Sequence, residues 1–226
     1  MAKRGHSAAG RSRKHTRRRT RRPASAPRRR QVLRRVAAII LAAGGSRRLG
    51  RPKLLIAYQG VPLLRRAIDA AIDAGCVDVL VVLGADRQHY GPLVQGTSAR
   101  EVLNPDYEQG MSSSIRAGIR ALAHQAEAAV IMLADQPRID MRIVRRLIDA
   151  YTHTGKRIVA CRYGPVLGAP TLFDRALFVE LLLLEGDQGA RAVMETHPGE
   201  VGAVEITPQA ALDIDLPEDV AGLQGP

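Results

Sequence analysis

Apolar and polar positions alternate along most of the chain in the way that parallel α/β domains require. Short apolar runs of strand length are separated by stretches in which apolar residues recur every three or four positions, as in helices. The run "VAAIILA" (36–42) is apolar throughout and predicts a strand buried on both faces. The next segment, "VPLLRRAIDAAIDAG" (61–75), predicts an amphipathic helix that ends at Gly75.

The same alternation predicts the remaining elements and, with them, the fold class. Further strands are expected at "VDVLVVLG" (77–84), "REVLN" (100–104), "AAVIMLA" (128–134), "RIVACRY", "VLGAPTLF" and "VGAVEI" (201–206). Helices are expected near 86–94, at 111–125, at 140–153 with Asp140 as the cap, at 175–186 and at 189–197. The simplest assembly is a three-layer α/β/α domain with a mostly parallel sheet.

The charge is distributed unevenly and separates a terminal segment from the body. The formal net charge of the 226 residues is +12, yet residues 1–35 hold fifteen Lys and Arg and no Asp or Glu. Residues 36–226 therefore carry a net charge of −3 and form one predicted domain. Because so basic a segment buries little apolar surface, we expect residues 1–35 to be a disordered tail. Three interpretations of the tail stay open: nonspecific binding of nucleic acid or another polyanion, a transit peptide, and an extension without function.

Cysteine usage and hydropathy argue against a cysteine-bound metal site and against a membrane-spanning protein. Cys76 and Cys161 lie far apart without metal-ligand spacing, which favours ordinary buried thiols and a cytoplasmic protein. The longest apolar run, "LFVELLLLEG", carries two glutamates and is shorter than the roughly twenty residues of a membrane span, so no membrane association is expected. No Ser-His-Asp or Cys-His arrangement is apparent, so the pattern indicates no covalent enzyme nucleophile.

The densest chemistry lies in "LAAGGSRRLGRPK", directly after the first predicted strand. Gly44 and Gly45 let backbone amides approach an anion, and Arg48 and Lys53 add positive charge. The loop therefore suits the phosphates of a nucleoside triphosphate, although it matches neither G-x-x-x-x-G-K-[ST] nor G-x-G-x-x-G. Taken alone, it is also compatible with a surface turn.

Other polar clusters, "GAD" (84–86), "NPDYEQGMSSS" and "ADQP", also follow predicted strands. Because the carboxyl ends of parallel strands meet at one edge of a sheet, these clusters and the glycine loop should form one site. Asp135 suits a divalent metal bound between phosphates, and a helix cap or turn is the alternative. In "DIDLPED" alternate residues point opposite ways, so one of Asp213 and Asp215 should face the site.

The stretch "LAAGGSRRLGRPKLL" resembles the signature L-A-A-G-x-S-x-R-(M/L)-G-x-x-K of the molybdenum cofactor nucleotidyltransferases. The resemblance continues through "NPDYEQGMSSSIRAGI", "LADQPRI", "LGAPTLF", "GDQGAR" and "DIDLPED", and covers nearly all of residues 36–222. It is strongest to the cytidylyltransferases, since their guanylyltransferase relatives usually read L-A-G-G and carry Asn in place of the Asp pair. The resemblance implies a Rossmann-like, glycosyltransferase-A-like fold.

The activity implied by this resemblance is transfer of CMP from CTP to the phosphate of molybdenum-loaded molybdopterin, with release of pyrophosphate. It implies Mg²⁺, or Mn²⁺ in its place, as cofactor, and a molybdenum hydroxylase or its chaperone as recipient of the product. Two rivals stay open. One is a nucleotidyltransferase for a sugar or alditol phosphate, which would share the glycine loop and Asp135; the other is a non-catalytic protein that binds the pterin or a polyanion.

The resemblance also implies a role for each matching position. Leu41, Ala42 and Ala43 should lie by the base and ribose, Gly44, Gly45 and Ser46 by the triphosphate, and Gly84, Asn104, Gly110 and Ser113 in the base pocket. Lys53, Arg48 and Asp135 should act in catalysis, Asp135 and Asp215 should bind metal, and Asp187 and Arg191 should contact the acceptor. A capped helix start for "MSSSI", and a helix-start turn with an Arg salt bridge for "GDQGAR", are the alternatives.

Overall fold

The structure is a computed structural model that describes residues 1–2, 34–46 and 49–222. The chain divides into two units, Met1–Val32 and Leu33–Pro226. All but the ends of the predicted tail, 1–35, lie outside the described residues, as does Arg48 of the glycine loop, so the expectations for them stay predictions.

The strands of the described residues are β1 Val36–Ala42, β2 Ala57–Tyr58, β3 Val61–Pro62, β4 Val79–Leu83, β5 Arg100–Leu103, β6 Ala128–Leu133, β7 Ile158–Tyr163, β8 Val166–Asp174 and β9 Val201–Ile206. Seven of them form one sheet in the order β5-β4-β1-β6-β8-β7-β9, and β2 and β3 form a separate two-stranded ribbon. Strands β5, β4, β1 and β6 run parallel, β8 is antiparallel to both β6 and β7, and β9 is parallel to β7. The predicted mostly parallel sheet is therefore confirmed.

Helices cover both faces of the sheet, as the three-layer prediction requires. The α-helices of the described residues are α1 Leu63–Asp73, α2 Arg87–Val94, α3 Met111–Ala121, α4 Met141–Thr154, α5 Phe178–Leu182, α6 Arg191–Thr196 and α7 Pro217–Gly222. Alternate residues of β1 point to opposite layers: Ile40 packs in one hydrophobic cluster with α1, α2 and α4, and Ile39 packs in the other with α3, α5 and α6. The sheet thus has a core on each side.

The helix boundaries confirm one predicted cap and correct two other expectations. Asp140 caps α4, because its carboxylate accepts the backbone N–H groups of Arg142 and Ile143. The expected helix over 175–186 is wrong in extent: a 3₁₀ turn precedes α5, which ends at Leu182. The run of leucines was compatible with a longer helix, but Leu183 is exposed and makes no apolar stripe. The serines of "MSSSI" do not cap α3, whose N-cap is Gly110.

Both cysteines are free, as expected, and Cys161 is buried. Burial raises the pKa of each thiol to about 12, so both stay protonated at neutral pH. Within the described residues, no helix combines the length and the apolar composition that crossing a bilayer demands.

Candidate active site

A cavity of about 330 Å³ opens where the carboxyl ends of β1 and β6 meet the start of α3. Polar clusters that are far apart in the sequence thus lie at one edge of the sheet, as expected for parallel strands. Eight of the predicted site residues line it. They are Leu41, Ala42, Ala43, Gly44, Lys53, Gly110, Asp135 and Asp187, accompanied by Leu54, Tyr107, Met111, Ser114 and Leu133.

A second cavity of about 580 Å³ continues from the first one along the glycine loop. Gly45 lines it together with Ala85 and Glu108, and both cavities share Gly44, Tyr107, Gly110 and Asp187. The two cavities therefore form a single cleft along the loop, which we call the loop cleft.

The glycine loop is closed by its own serine. The Ser46 carbonyl accepts the N–H groups of Leu49 and Gly50 at 3.1 and 3.2 Å, and the Ser46 hydroxyl accepts the N–H of Lys53 at 3.1 Å. Ser46 has φ = +46°, a left-handed conformation that is costly for a residue with a Cβ. A side chain on Gly44 would meet nothing within 4 Å, so this backbone is open to a ligand.

Lys53 lies between two carboxylates. Its Nζ donates to Asp135 Oδ2 at 2.5 Å and to Asp215 Oδ1 at 2.8 Å. Burial by itself lowers the pKa of this ammonium, but the attraction of Asp135 and then of Asp215 outweighs it and leaves the pKa above its usual value. Lys53 is therefore a permanent positive charge in the loop cleft.

The segment that carries Asp213 and Asp215 is held beside Asp135 by a backbone hydrogen bond. The N–H of Ile214 donates to the Asp135 carbonyl at 3.2 Å, so the flanking side chains point opposite ways. Asp215 contacts Lys53, whereas Asp213 accepts the amide of Gln136 at 2.9 Å. Of the pair, Asp215 is thus the one on the side of Lys53.

One oxygen of Asp135 fits a metal ion. Asp135 Oδ1 is buried without a hydrogen-bond partner, while Oδ2 is bonded to Lys53. Among the residues that the structure describes, no group of three or more His, Cys, Asp or Glu side chains could hold a metal by itself. Two carboxylates suit Mg²⁺ or Mn²⁺ that is bound jointly by the protein and by phosphate oxygens.

Three of the expected base-pocket residues, Gly84, Asn104 and Ser113, are not among the residues that line the loop cleft. Asn104 and Ser113 are buried, and the Asn104 amide donates to the hydroxyls of Ser113 and Ser114 at 2.8 and 3.0 Å. These hydrogen bonds hold the start of α3 in place, and Ser114 lines the cleft. A Cβ on Gly84 would lie 2.6 Å from the Ala43 carbonyl oxygen and 2.8 Å from the Tyr107 ring, so Gly84 permits a close approach of these two walls.

The two expected acceptor residues are separated. Asp187 lines both cavities, and a Cβ on Gly110 would lie 2.5 Å from its Oδ1. Arg191 is absent from the lining of either cavity and donates to Glu195 at 3.1 Å, one turn along α6. Its surroundings match the alternative of a helix-start turn with an Arg salt bridge.

Sequence reasoning missed two tyrosines. Tyr107 lines both parts of the loop cleft, and the signal for it was its place in "NPDYEQG" after a predicted strand. Tyr90 is fully buried in α2, and its hydroxyl lies within 3.5 Å of Ser46, Leu54 and Asp86. Its position gave no signal, because a single tyrosine in a helix is ordinarily a core residue.

Several solved structures have the same fold. A Mycobacterium tuberculosis protein, Rv0371c, is 29% identical with a TM-score of 0.75, covering 85% of this chain and 98% of the other. The same protein is described in complex with manganese, at 27% identity and a TM-score of 0.68 over 85% and 98% of the two chains. A nucleotidyl transferase from Methanothermobacter thermautotrophicus has a TM-score of 0.73 at 23% identity, over 84% of this chain and 95% of the other. The nucleotidyltransferase fold is thereby confirmed.

Sequence relatives give the family. Nicotine blue oxidoreductase of Paenarthrobacter nicotinovorans is 32% identical over 77% of this chain and 89% of its own length. Molybdenum cofactor cytidylyltransferase of Escherichia coli is 24% identical over 77% and 88%. Residues 38–201 match the MobA-like NTP transferase domain. The chain therefore belongs to the MobA-like NTP transferase domain family, which confirms the resemblance seen in the sequence.

Proposed function

We propose that this NTP transferase transfers CMP from CTP to the terminal phosphate of molybdenum-loaded molybdopterin. The observation that carries the proposal is Asp135, whose buried Oδ1 has no partner while its Oδ2 is paired with Lys53 in a cleft bounded by a glycine loop. A carboxylate with a free oxygen beside a permanent ammonium suits a metal-bound triphosphate.

The groups of the loop cleft suit a direct transfer. An oxygen of the acceptor phosphate attacks the α-phosphorus of CTP, a new P–O bond forms, and the bond to the leaving pyrophosphate breaks. The acceptor phosphate is itself the nucleophile, so the protein has to position the substrates and stabilise charge. Backbone groups from Gly44 to Ser46 hold the triphosphate, with Arg48, and Lys53 stabilises the charge that develops at the α-phosphorus.

Asp135 and Asp215 would hold the metal, which supplies Lewis-acid polarisation of the phosphate oxygens when it is bound. Asp135 contributes its unpartnered Oδ1 and Asp215 its carboxylate at the opposite side of Lys53. Both carboxylates lie on the Lys53 ammonium, so a metal bound there would compete with that ammonium for their oxygens.

The choice of cytosine and of the pterin rests on the motif resemblance together with the relative from Escherichia coli. Support for the base comes from "AAG", since Ala42, Ala43 and Gly44 all line the cleft. Asp187 lines both cavities beside Gly110, where it can contact the base or the acceptor. Arg191 lines neither cavity and is paired with Glu195, so its contact with the acceptor rests on the motif resemblance alone.

Two rivals stay open. The 32% identity to nicotine blue oxidoreductase favours an oxidoreductase, which would release no pyrophosphate. The other is a nucleotidyltransferase for a sugar or alditol phosphate, which would share the glycine loop and Asp135 with the proposed activity.

The deciding experiment measures pyrophosphate release from CTP, GTP and ATP with Mg²⁺ and either molybdenum-loaded molybdopterin or a sugar phosphate. We expect release with CTP and the pterin, and a loss on the order of 10²–10³-fold in Asp135→Asn. Asp213→Asn is the matched control for Asp215→Asn and should lose less, because Asp213 pairs with Gln136. Equally fast turnover with a sugar phosphate and none with the pterin would refute the proposed acceptor, and no pyrophosphate with any nucleotide would refute transfer.

We further propose that residues 36–226 form the catalytic domain and that the basic tail is dispensable for turnover. A chain lacking residues 1–35 should keep its rate of pyrophosphate release. If the tail binds polyanions, retention of the full chain on heparin should fall after the deletion, since the body has a net charge of −3. A loss of turnover in the shortened chain would contradict this division.

A further inference from the structure

Three segments of the chain meet at the hydroxyl of Tyr90. Leu54 donates its backbone N–H to the Tyr90 oxygen at 3.5 Å, and the Tyr90 hydroxyl donates to Asp86 Oδ2 at 3.3 Å. The Ser46 hydroxyl lies 3.3 Å from the same oxygen. Since the single hydrogen of Tyr90 points to Asp86, Ser46 is the donor in that contact.

The contacts form one chain that ends at the catalytic lysine. The Ser46 oxygen that approaches Tyr90 also accepts the backbone N–H of Lys53 at 3.1 Å. Leu54 follows Lys53 in the same 3₁₀ turn, so Tyr90 contacts the lysine segment both directly and through Ser46. Asp86, from the motif "GAD" after β4, is the charged acceptor at the other end.

The glycine loop needs an external support. Ser46 adopts φ = +46°, and such a conformation persists only where surrounding groups hold it. Within the described loop, Gly44 and Gly45 add flexibility and Gly44 has no neighbour that would restrict it. The fully buried ring of Tyr90 supplies a rigid point beneath the loop.

We infer that Tyr90, which is hydrogen-bonded to Asp86, is a positioning residue. It fixes the positions of the glycine loop and of Lys53 for the binding of a nucleoside triphosphate. The inference rests on the proposed function in so far as the triphosphate binds at the loop. It explains why a hydroxyl is buried in a helix that otherwise packs against the core through apolar atoms.

The test compares Tyr90→Phe with Tyr151→Phe. Both tyrosines are buried and bonded to a carboxylate, but Tyr151 contacts Asp174, away from the loop cleft. In Tyr90→Phe, hydrogen exchange at the amides of Lys53 and Leu54 should accelerate, and the KM for the nucleotide should rise, each by about three- to tenfold. Tyr151→Phe should leave both quantities unchanged, even if the melting temperatures of the two variants fall alike.

A second variant and the exchange readout keep the two proposals separable. Asp86→Asn should shift the same amides in the same direction, and in a Ser46→Ala background Tyr90→Phe should still accelerate exchange at Leu54, whose N–H the Tyr90 oxygen accepts directly, with little further effect at Lys53. Exchange needs no substrate, so accelerated exchange without pyrophosphate release would support the positioning and refute the transfer. Unchanged exchange and an unchanged KM in Tyr90→Phe, or equal shifts in Tyr151→Phe, would overturn the inference.

Discussion

Two ion-paired regions at different places on the same sheet differ in how completely their groups are satisfied. In the loop cleft, the side chains of Lys53 and Asp135 are 15% and 18% exposed, and one Asp135 oxygen has no partner. At the β9 side of the sheet, Arg157 and Glu200 are 41% and 36% exposed, and the guanidinium donates to both carboxylate oxygens. In the buried Lys53–Asp135 pair, one carboxylate oxygen lacks a hydrogen-bond partner, whereas in the exposed Arg157–Glu200 pair both carboxylate oxygens accept hydrogen bonds.

The difference teaches how to tell a functional charge pair from a structural one. A buried carboxylate oxygen without a partner costs stability, so its presence indicates a ligand that completes it. Both carboxylate oxygens of Glu200 accept hydrogen bonds from Arg157, and this half-exposed pair joins two segments of the chain. The two regions differ in whether every carboxylate oxygen has a hydrogen-bond partner, and not in the charge of their residues.

Removal of Lys53 should produce the largest effect. Lys53→Met should lower the rate of the proposed transfer on the order of 10²-fold and weaken CTP binding by less, because in the proposed reaction the ammonium acts on charge that develops at the α-phosphorus. It should also tighten Mn²⁺ binding to the nucleotide-free protein by about tenfold, because the carboxylates lose a competing cation. The transfer rate and Mn²⁺ electron paramagnetic resonance measure the two effects.

The control is Lys156→Met, a lysine of the β9 side that donates to the Gly199 carbonyl. It should change neither the transfer rate nor Mn²⁺ binding. An unchanged rate in Lys53→Met would count against its role in the reaction, and unchanged Mn²⁺ affinity would separate Lys53 from the metal site.

Replacing one glycine of each region by alanine should give the next largest effect, on the stability of the protein. Gly84→Ala would place a Cβ 2.6 Å from the Ala43 carbonyl oxygen, so the floor of the loop cleft has to shift. We expect a loss of about 1–3 kcal/mol in the free energy of unfolding, with weaker nucleotide binding. Gly199→Ala meets nothing within 4 Å and should stay within about 0.5 kcal/mol of the parent protein. Chemical denaturation measures both, and equal losses would remove the contrast.

The smallest effect should come from the Arg157–Glu200 pair, as a pH-dependent contribution to the stability of the folded protein. The hydrogen bonds from Arg157 hold the pKa of Glu200 below its usual value of 4.5. A carboxylate with a lowered folded-state pKa stabilises the protein above its unfolded-state pKa, and this contribution disappears as the pH falls through the folded-state pKa. Glu200→Gln should therefore lower the melting temperature slightly at pH 7, and its effect should vanish once the pH falls below the lowered folded-state pKa of Glu200.

The control repeats Glu200→Gln in an Arg157→Leu background. There it should have little effect on the melting temperature at any pH, because the guanidinium is gone. A pH-independent difference between Glu200→Gln and the parent protein would show that the charge of Glu200 is not what stabilises this contact.

Much of the fold could be predicted from the sequence because its signals are local. The apolar run 36–42 could only be a buried strand, and Asp140 before an amphipathic segment marked the start of α4. The direction of β8 could not be predicted, since an antiparallel strand inserted between β6 and β7 has the same apolar pattern as a parallel one. The end of α5 was missed because Leu183, directly after it, is exposed, which the apolar run itself does not reveal.

The candidate site was predictable in part for the same reason. Gly44, Lys53 and Asp135 follow or flank strand ends, so one rule about parallel sheets anticipated that they would meet. The support from Tyr90 and the separation of Asp187 from Arg191 depend on side-chain contacts between distant segments. Neither a motif nor a spacing encodes such contacts.

The sequence by itself determined the α/β alternation, the loop rich in glycine and cations, and the family to which the chain belongs, because each is written in contiguous residues. Only the tertiary structure decided that Lys53 bridges Asp135 and Asp215, that one Asp135 oxygen is left without a partner, and that a buried tyrosine supports the loop. Hydrogen bonding and desolvation act over a few ångströms between residues that are up to 162 positions apart, and packing alone brings those residues together.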